Sequence, residues 1–271
     1  MLQYFPKMKL IAFALGCGIP IAIALIYWLV FGGTIGVNLA GMVVLALLIF
    51  GPILTFNVFN RKADARFEGI MNLYNEQCNP QAFIDEAEPL VARFTEPYGP
   101  FEAWFLSFYA LALLDVDRTE EAAIIGKKMQ DFALNTQNPD EKLGLLVNIL
   151  PLVLRLFGPQ AGMNIISQAQ ALINENPTPN NANQANYLES QRQMVQAVID
   201  NDAEYLLSRC KSIREDEAGV QQMRVRVLEA HKEAQIRELQ GDFAGARECW
   251  EFVRQYGNCL PCVKEAEQRL A

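Results

Sequence analysis

The chain has 271 residues, of which 51% are hydrophobic and 20% are charged, and this balance is typical of a folded protein rather than a disordered or collagen-like one. Its formal net charge of -8 argues against non-specific binding to nucleic acid through phosphate neutralisation, so we expect no nucleic-acid partner. Six cysteines in this length are too few for the disulfide framework of a small secreted domain.

The first predicted elements are two membrane-spanning helices. Residues 10–60 contain no Asp, Glu, Lys or Arg, and this stretch is long enough for two helices of the roughly 20 residues that cross a bilayer. Glycines between residues 32 and 36 favour a break there, which predicts spans at residues 10–31 and 36–59. We therefore expect residues 10–60 to form a two-helix transmembrane hairpin in the lipid bilayer.

A secretory signal peptide is the alternative interpretation of the first span, because Lys7 and Lys9 resemble its positively charged start. However, the apolar run is longer than that of a signal peptide, no small-residue cleavage site stands out, and a second span follows directly. These features favour an uncleaved anchor.

Basic residues flank both ends of the predicted hairpin. They are Lys7, Lys9, Arg61, Lys62 and Arg66. Since Lys and Arg are enriched on the cytoplasmic side of membrane proteins, we expect both termini to be cytoplasmic, in a bacterial inner membrane. Residues 1–9 then form a cytoplasmic N-terminus, and residues 61–271 form a cytoplasmic domain.

Small residues within the spans favour a close approach of two helices. The candidates are Ala14, Gly18 and Ala22 in the first span, with Gly36 and Ala40 in the second. The alternative is that they are ordinary small residues that face lipid. The sequence alone does not separate these two interpretations.

The remaining chain, residues 61–271, is predicted to be all-helical, because its apolar residues follow helical spacing and no strand-like alternation occurs. Turn signals recur at intervals of 39, 40, 43 and 40 residues, which is typical of stacked helical hairpins. These turns are Asn79-Pro80, Arg118-Thr119, Gly158-Pro159, Asn201-Asp202 and Gly241-Asp242. They predict about five hairpins, a longer loop at residues 176–181, and a capping helix at residues 260–270.

Two of these turns resemble those of the tetratricopeptide-repeat family. Gly241 is followed by Ala246 and then by Trp250, which matches the family's glycine, alanine and aromatic residue in the turn and second helix of a repeat. Ala122 follows a similar turn, and Ala110, twelve residues earlier, fits the small residue where paired helices cross. The resemblance implies a membrane-anchored, tetratricopeptide-like (TPR-like) α-solenoid, with intervals longer than the family's roughly 34 residues.

Cys259 and Cys262 form a C-x-x-C motif. If Pro261 starts the last helix, the helix dipole stabilises a thiolate there, which favours a thiol–disulfide couple or half of a zinc site. Further zinc ligands would be needed, and the candidates are Cys210, Cys249 and His231. A lone C-x-x-C outside a βαβ unit is weak evidence, so ordinary reduced thiols are the favoured interpretation and we predict no cofactor.

The sequence contains no phosphate-binding loop, catalytic-serine elbow or zinc-protease motif. His231 is its single histidine, which leaves few ways to build an acid–base site. Asp115 and Asp117 fall at a predicted turn, where solvated loop charges are a better interpretation than calcium ligands. We therefore expect a binding protein and not an enzyme.

Recognition of another protein is the function that remains. In tetratricopeptide arrays the first helix of each pair lines a concave groove, and the resemblance implies these groove residues: Phe67, Met71, Tyr74, Trp104, Ser107, Leu111, His231, Gln235 and Glu238. An aromatic-rich groove in an acidic domain suits a peptide with apolar anchors and basic flanks, whereas burial of the aromatics between hairpins is the alternative.

The predicted function is thus a membrane-anchored protein–protein interaction scaffold. Two alternatives come from other classes. One is a structural subunit of a larger membrane complex, and the other is a redox or zinc protein that uses Cys259 and Cys262.

Overall fold

The computed structural model describes residues 1–31, 39–175, 177, 181–216 and 218–271. The predicted break at residues 32–36 and most of the predicted loop at residues 176–181 lie outside them. Within the described residues the chain is helical and contains no strand, which confirms the all-helical prediction. The chain divides into two compact units, Met1–Met71 and Asn72–Ala271.

The first unit begins with a short 3-10 helix, Leu2–Tyr4, which is followed by one long helix that a π-helical turn interrupts. Helices α1 (Pro6–Phe13) and α2 (Ile19–Phe31) flank the π-helical segment Ala14–Gly18. Helix α3 (Leu39–Asn75) continues without a break past the end of this unit. Two helical stretches, Pro6–Val30 and Gly41–Asn75, are long and apolar enough to cross a membrane, and they overlap the predicted spans.

Large apolar side chains on these helices are exposed. Leu10 is 70% exposed, Leu29 is 72% exposed and Leu54 is 64% exposed. Contact between such surface and water is unfavourable. Lipid hydrocarbon is as apolar as these side chains, so the exposed faces suit a bilayer.

Gly16 and Gly51 permit close packing between the first helix and α3. A Cβ atom added at Gly16 would lie 3.2 Å from the Cα atom of Pro52, and one added at Gly51 would lie 3.2 Å from Cγ of Pro20. Ala12, Gly16 and Pro20 recur every four residues and are buried. They form the face of the first helix that contacts α3.

The small residues Ala14, Gly18 and Ala22 of the first span fit the lipid-facing interpretation and not the close-packing one. Ala14, Gly18 and Ala22 are exposed, and a Cβ atom added at Gly18 would meet nothing within 4 Å. These residues lie two positions from the buried stripe, which is about 200° around an α-helix, so they face outwards. Gly36 and the side chain of Ala40 lie outside the described part of the chain.

The second unit is a succession of helices. They are α4 (Pro80–Val91), α5 (Pro100–Asp115), α6 (Thr119–Asn135), α7 (Pro139–Phe157), α8 (Pro159–Glu175), α9 (Ala182–Asp200), α10 (Ala203–Glu215), α11 (Met223–Leu239), α12 (Phe243–Tyr256) and α13 (Cys262–Leu270). Each of the five predicted turns directly precedes an even-numbered helix, from α4 to α12. Helix α13 coincides with the predicted capping helix.

Side chains at three of the five predicted turns, Asn79, Asp202 and Asp242, cap the helix that follows. Asn79 accepts a hydrogen bond from the backbone N–H of Ala82 at 3.1 Å. Asp242 accepts one from the backbone N–H of Gly245 at 3.0 Å. Each bond satisfies one of the amides that the start of a helix leaves unpaired, so short polar residues at the turns start the second helix of a pair.

Packing in the second unit is mainly between consecutive helices. Helix α5 contacts α6 and α7, and from α7 onwards each helix packs on the next. One buried cluster draws on α5 to α9, and another draws on α11 to α13 around Trp250. Extensive packing of α9 on α7 or on α11 is absent from the described residues, so a regular TPR-like solenoid stays a prediction.

Candidate functional site

The nine predicted groove residues are buried to different degrees. Met71, Tyr74, Ser107 and Leu111 are buried, whereas Phe67 and Trp104 are half-buried. The Ser107 hydroxyl donates to a backbone carbonyl of its own helix at 3.0 Å. Since a buried side chain offers no surface to a partner, its burial favours the core alternative for these four residues. Partner binding by the nine stays a prediction.

His231, Gln235 and Glu238 are brought together by contacts with the last two helices. His231 Nε2 lies 2.7 Å from Oε2 of Glu265, and Gln235 donates to the same carboxylate at 3.4 Å. Glu238 accepts a hydrogen bond from Nε1 of Trp250 at 2.8 Å. The hydrogen bond from His231 lowers the pKa of Glu265. These three predicted site residues therefore join α11 to α12 and α13.

A separate group of polar side chains meets inside the second unit. Tyr74 Oη donates to Oδ2 of Asp115 at 2.7 Å, and Arg155 Nη1 donates to Oδ1 of Asp115 at 2.6 Å. The Arg224 guanidinium lies over the Tyr74 ring, with Cζ 4.4 Å from the ring centre. Tyr74, Asp115 and Arg224 are all buried. We call these four residues the helix-end network.

Each member of the helix-end network lies at the end of a helix. Tyr74, Asp115 and Arg155 lie in the last turns of α3, α5 and α7, and Arg224 lies in the first turn of α11. Tyr74 and Asp115 are 41 residues apart, and Asp115 and Arg155 are 40 residues apart. This spacing matches that of the predicted turns. Similar positions in three successive first helices thus carry a hydroxyl, a carboxylate and a guanidinium that bond to one another.

The electrostatics of the helix-end network keep its hydrogen bonds in place. Burial raises the pKa of Tyr74 far above its usual value; Arg224 opposes this shift, while Asp115 adds to it. The phenol therefore stays protonated at neutral pH and remains a donor to Asp115. The carboxylate is held from two sides, so the arrangement is suited to linking helix ends.

The interpretation of Asp115 as a solvated loop charge is wrong, because its side chain is buried and paired with Arg155. Asp117, two residues later, is exposed as expected. A signal for Asp115 was present in the sequence, since Tyr74 and Arg155 lie one repeat interval before and after it. Arg224 Nε within the network and Oδ1 of Asn75, the residue after Tyr74, are buried without a hydrogen-bond partner in the described residues.

The C-x-x-C motif has one exposed and one buried thiol. Cys259 is exposed and Cys262 is buried, and neither forms a disulfide. Burial raises the pKa of Cys262 to about 12, which opposes the thiolate that the redox or zinc alternative requires. Loss of solvation is the largest cause of this rise in pKa, and the charge of Asp115 adds to it. Among the described residues, no three His, Cys, Asp or Glu side chains are grouped so that they could hold a metal ion.

The final turn of the second unit contacts the first loop of the same unit. Asn258 Nδ2 donates to the Gln77 carbonyl at 2.7 Å, and the Cys259 N–H donates to the Cys78 carbonyl at 3.1 Å. The Cys78 side chain is buried in the same apolar cluster as Cys262. We call this arrangement the end-to-end contact, and no sequence pattern predicted it.

Apolar side chains are also exposed on the second unit. Leu239 and Phe243 flank the turn between α11 and α12, and they are 89% and 70% exposed. Single exposed apolar residues are common on soluble proteins, but two large ones beside the same turn are a candidate point of contact. We call Leu239 and Phe243 the apolar turn.

No family model, curated protein or solved structure matches this chain. The comparisons therefore give no support to the resemblance with tetratricopeptide repeats, which rests on the residues alone. The function of the chain has to be inferred from its own surfaces and buried groups.

Proposed function

We propose that this chain is a membrane-anchored protein–protein interaction scaffold. The observation that carries the proposal is the make-up of α3. Its first half bears exposed apolar side chains, and its last turn supplies Tyr74 to the helix-end network. Helix α3 therefore contributes residues both to the apolar first unit and to the helical second unit.

The membrane in this proposal is a bacterial inner membrane, with both termini on the cytoplasmic side. The support is the Lys and Arg residues that flank the apolar helices. Anchoring raises the effective concentration of the helical unit for partners near the bilayer. A modest affinity then suffices for capture.

The apolar turn is the contact point that we propose for a partner protein. The second unit carries 29 of the 31 acidic residues of the chain but 18 of its 23 Lys and Arg residues. Apolar groups flanked by basic residues would complement an exposed Leu and Phe in this acidic setting. This kind of partner is the one expected from the sequence, although the contact residues differ.

Co-purification from membranes in a mild detergent tests the scaffold. The full-length chain is compared with a variant that carries Leu239→Ser and Phe243→Ser, and recovered proteins are quantified by mass spectrometry. We expect a partner recovered with the parent chain to be lost from this variant. Val220→Ser is the matched control, because Val220 is 74% exposed and lies outside the apolar turn. Identical recovery from all three chains would contradict the proposal.

Exchange of the membrane anchor distinguishes the scaffold from the alternative, a structural subunit of a larger membrane complex. Residues 10–60 are replaced by an unrelated two-helix membrane anchor, and partner recovery is measured again. A scaffold keeps its partner after the exchange. A subunit whose decisive contacts lie in the membrane loses its assembly.

A further inference from the structure

The N-terminal segment of the first unit packs against α3. Leu2 and Ala12 form a buried cluster with Ala63 of α3, and Phe56 and Phe59 lie at its edge. The contact places the start of the first helix beside the part of α3 that follows its apolar stretch. Basic residues that are far apart in sequence are thereby collected at one end of the unit.

These residues are Lys7, Lys9, Arg61 and Lys62, which we call the basic collar. All four are exposed. Within the described residues Lys7, Lys9 and Arg61 form no ion pair, and the Lys62 ammonium lies 5.4 Å from the centre of the Phe59 ring. The first unit contains two acidic residues, of which Asp64 lies 3.9 Å from the terminal amino group. The collar is therefore a site of uncompensated positive charge.

The basic collar borders directly on exposed apolar surface. Leu10 follows Lys9 and is 70% exposed, and Val58 precedes Arg61 by three residues and is 51% exposed. With a rise of about 1.5 Å per residue, each apolar residue lies within about 5 Å of its basic neighbour along the helix axis. Positive charge and bare hydrocarbon surface thus adjoin on the same unit.

We propose that the basic collar binds the phosphate groups of anionic phospholipids, whose acyl chains cover the exposed apolar faces beside it. A phospholipid matches both parts of this surface, whereas free phosphate matches the charges alone. Juxtamembrane Lys and Arg residues are attracted to anionic leaflets. The inference rests on the membrane anchoring in the proposed function and adds a lipid class to it.

Lipid enrichment around the full-length chain tests this inference. The chain is reconstituted in nanodiscs of phosphatidylcholine that contain phosphatidylglycerol as the minor lipid, and the lipids that remain bound are measured by native mass spectrometry. We expect phosphatidylglycerol to be enriched over its share of the bilayer. Replacing all four collar residues by Gln should abolish that enrichment. Each cation that is removed weakens the binding of the anionic lipid by up to about five-fold. Inorganic phosphate at matched ionic strength should leave it unchanged.

A charge-matched control uses Lys127→Gln, Lys128→Gln, Lys211→Gln and Lys264→Gln, which remove four exposed cations of the second unit. This variant should keep the enrichment. Equal enrichment in the collar variant, an equal loss in the control, or displacement of the lipid by free phosphate would overturn the inference. Extraction of the parent chain from membranes by alkaline carbonate reports on anchoring separately. A chain that stays in the membrane without enrichment refutes the lipid site alone, whereas a chain that is extracted refutes both proposals.

Discussion

At the residue scale, the Tyr74 hydroxyl is a group whose removal has a defined consequence. Tyr74→Phe removes a donor 2.7 Å from Oδ2 of Asp115 and leaves the buried carboxylate bonded to Arg155. Because an unsatisfied buried acceptor costs about 1–3 kcal/mol, we expect the free energy of unfolding to fall by that amount. Denaturant unfolding of the full-length chain in detergent, followed by circular dichroism, measures the change.

Tyr205→Phe is the matched control for this prediction. The Tyr205 hydroxyl donates to Gln193 at the surface over 3.4 Å, where water can replace the lost bond. Its removal should change the free energy of unfolding by less than about 0.5 kcal/mol. If both variants lose the same amount, the helix-end network makes no special contribution to stability.

The spacing of Tyr74, Asp115 and Arg155 is visible in the sequence, but the sequence alone did not predict that their side chains bond to one another. Tyr74 was expected to line a groove and Asp115 to face solvent. However, Asp115 lies one repeat interval after Tyr74 and one before Arg155. The reason lies in α5, where buried residues occupy consecutive positions from Tyr109 to Leu113. Without a single apolar stripe, the pattern does not indicate which side of the helix faces its neighbours. Tertiary packing decides that orientation.

At the scale of the element, the first helix packs against α3 through Gly16. Gly16→Leu places a branched side chain where even a Cβ atom would lie 3.2 Å from Cα of Pro52 and Cβ of Thr55. Overpacking of this kind costs about 1–3 kcal/mol, so we expect the two helices to separate more readily. Unfolding by increasing amounts of a denaturing detergent, followed by circular dichroism, measures the loss.

Gly18→Leu is the control because it makes the same chemical change one half-turn away. A Cβ atom at Gly18 would have nothing within 4 Å, so this variant should unfold like the parent chain. A similar loss in both variants would show that the effect comes from the glycine itself and not from helix contact.

Elements were predictable to different degrees. The turn residues correctly indicated where helices begin, because a cap such as Asn79 acts on an amide three residues away. The close approach at Gly16 was missed, since small residues at positions 14, 16, 18 and 22 offered more than one face. Selecting the buried face requires the rotation of the helix relative to α3, which local residue types do not specify.

At the scale of the whole molecule, the end-to-end contact is the feature that sequence reasoning could not supply. Asn258 and Gln77 are 181 residues apart, and the acceptor is a backbone carbonyl. Because every residue type has a backbone carbonyl, no sequence motif indicates this pairing. The predicted capping helix was found at its expected place, but its relation to the first loop of the unit depends on how all the intervening helices pack.

Asn258→Gly tests whether the two ends of the second unit depend on one another. Asn258 has a φ of 47°, which glycine adopts without strain, so this change removes the donor to Gln77 while it preserves the turn. Loss of about 1 kcal/mol should raise amide hydrogen exchange near residues 77–84 roughly five-fold, as measured by mass spectrometry on the full-length chain. Residues 139–157 of α7 serve as the internal control and should exchange as in the parent chain. Unchanged exchange near residues 77–84 would show that the first loop is held without the end-to-end contact.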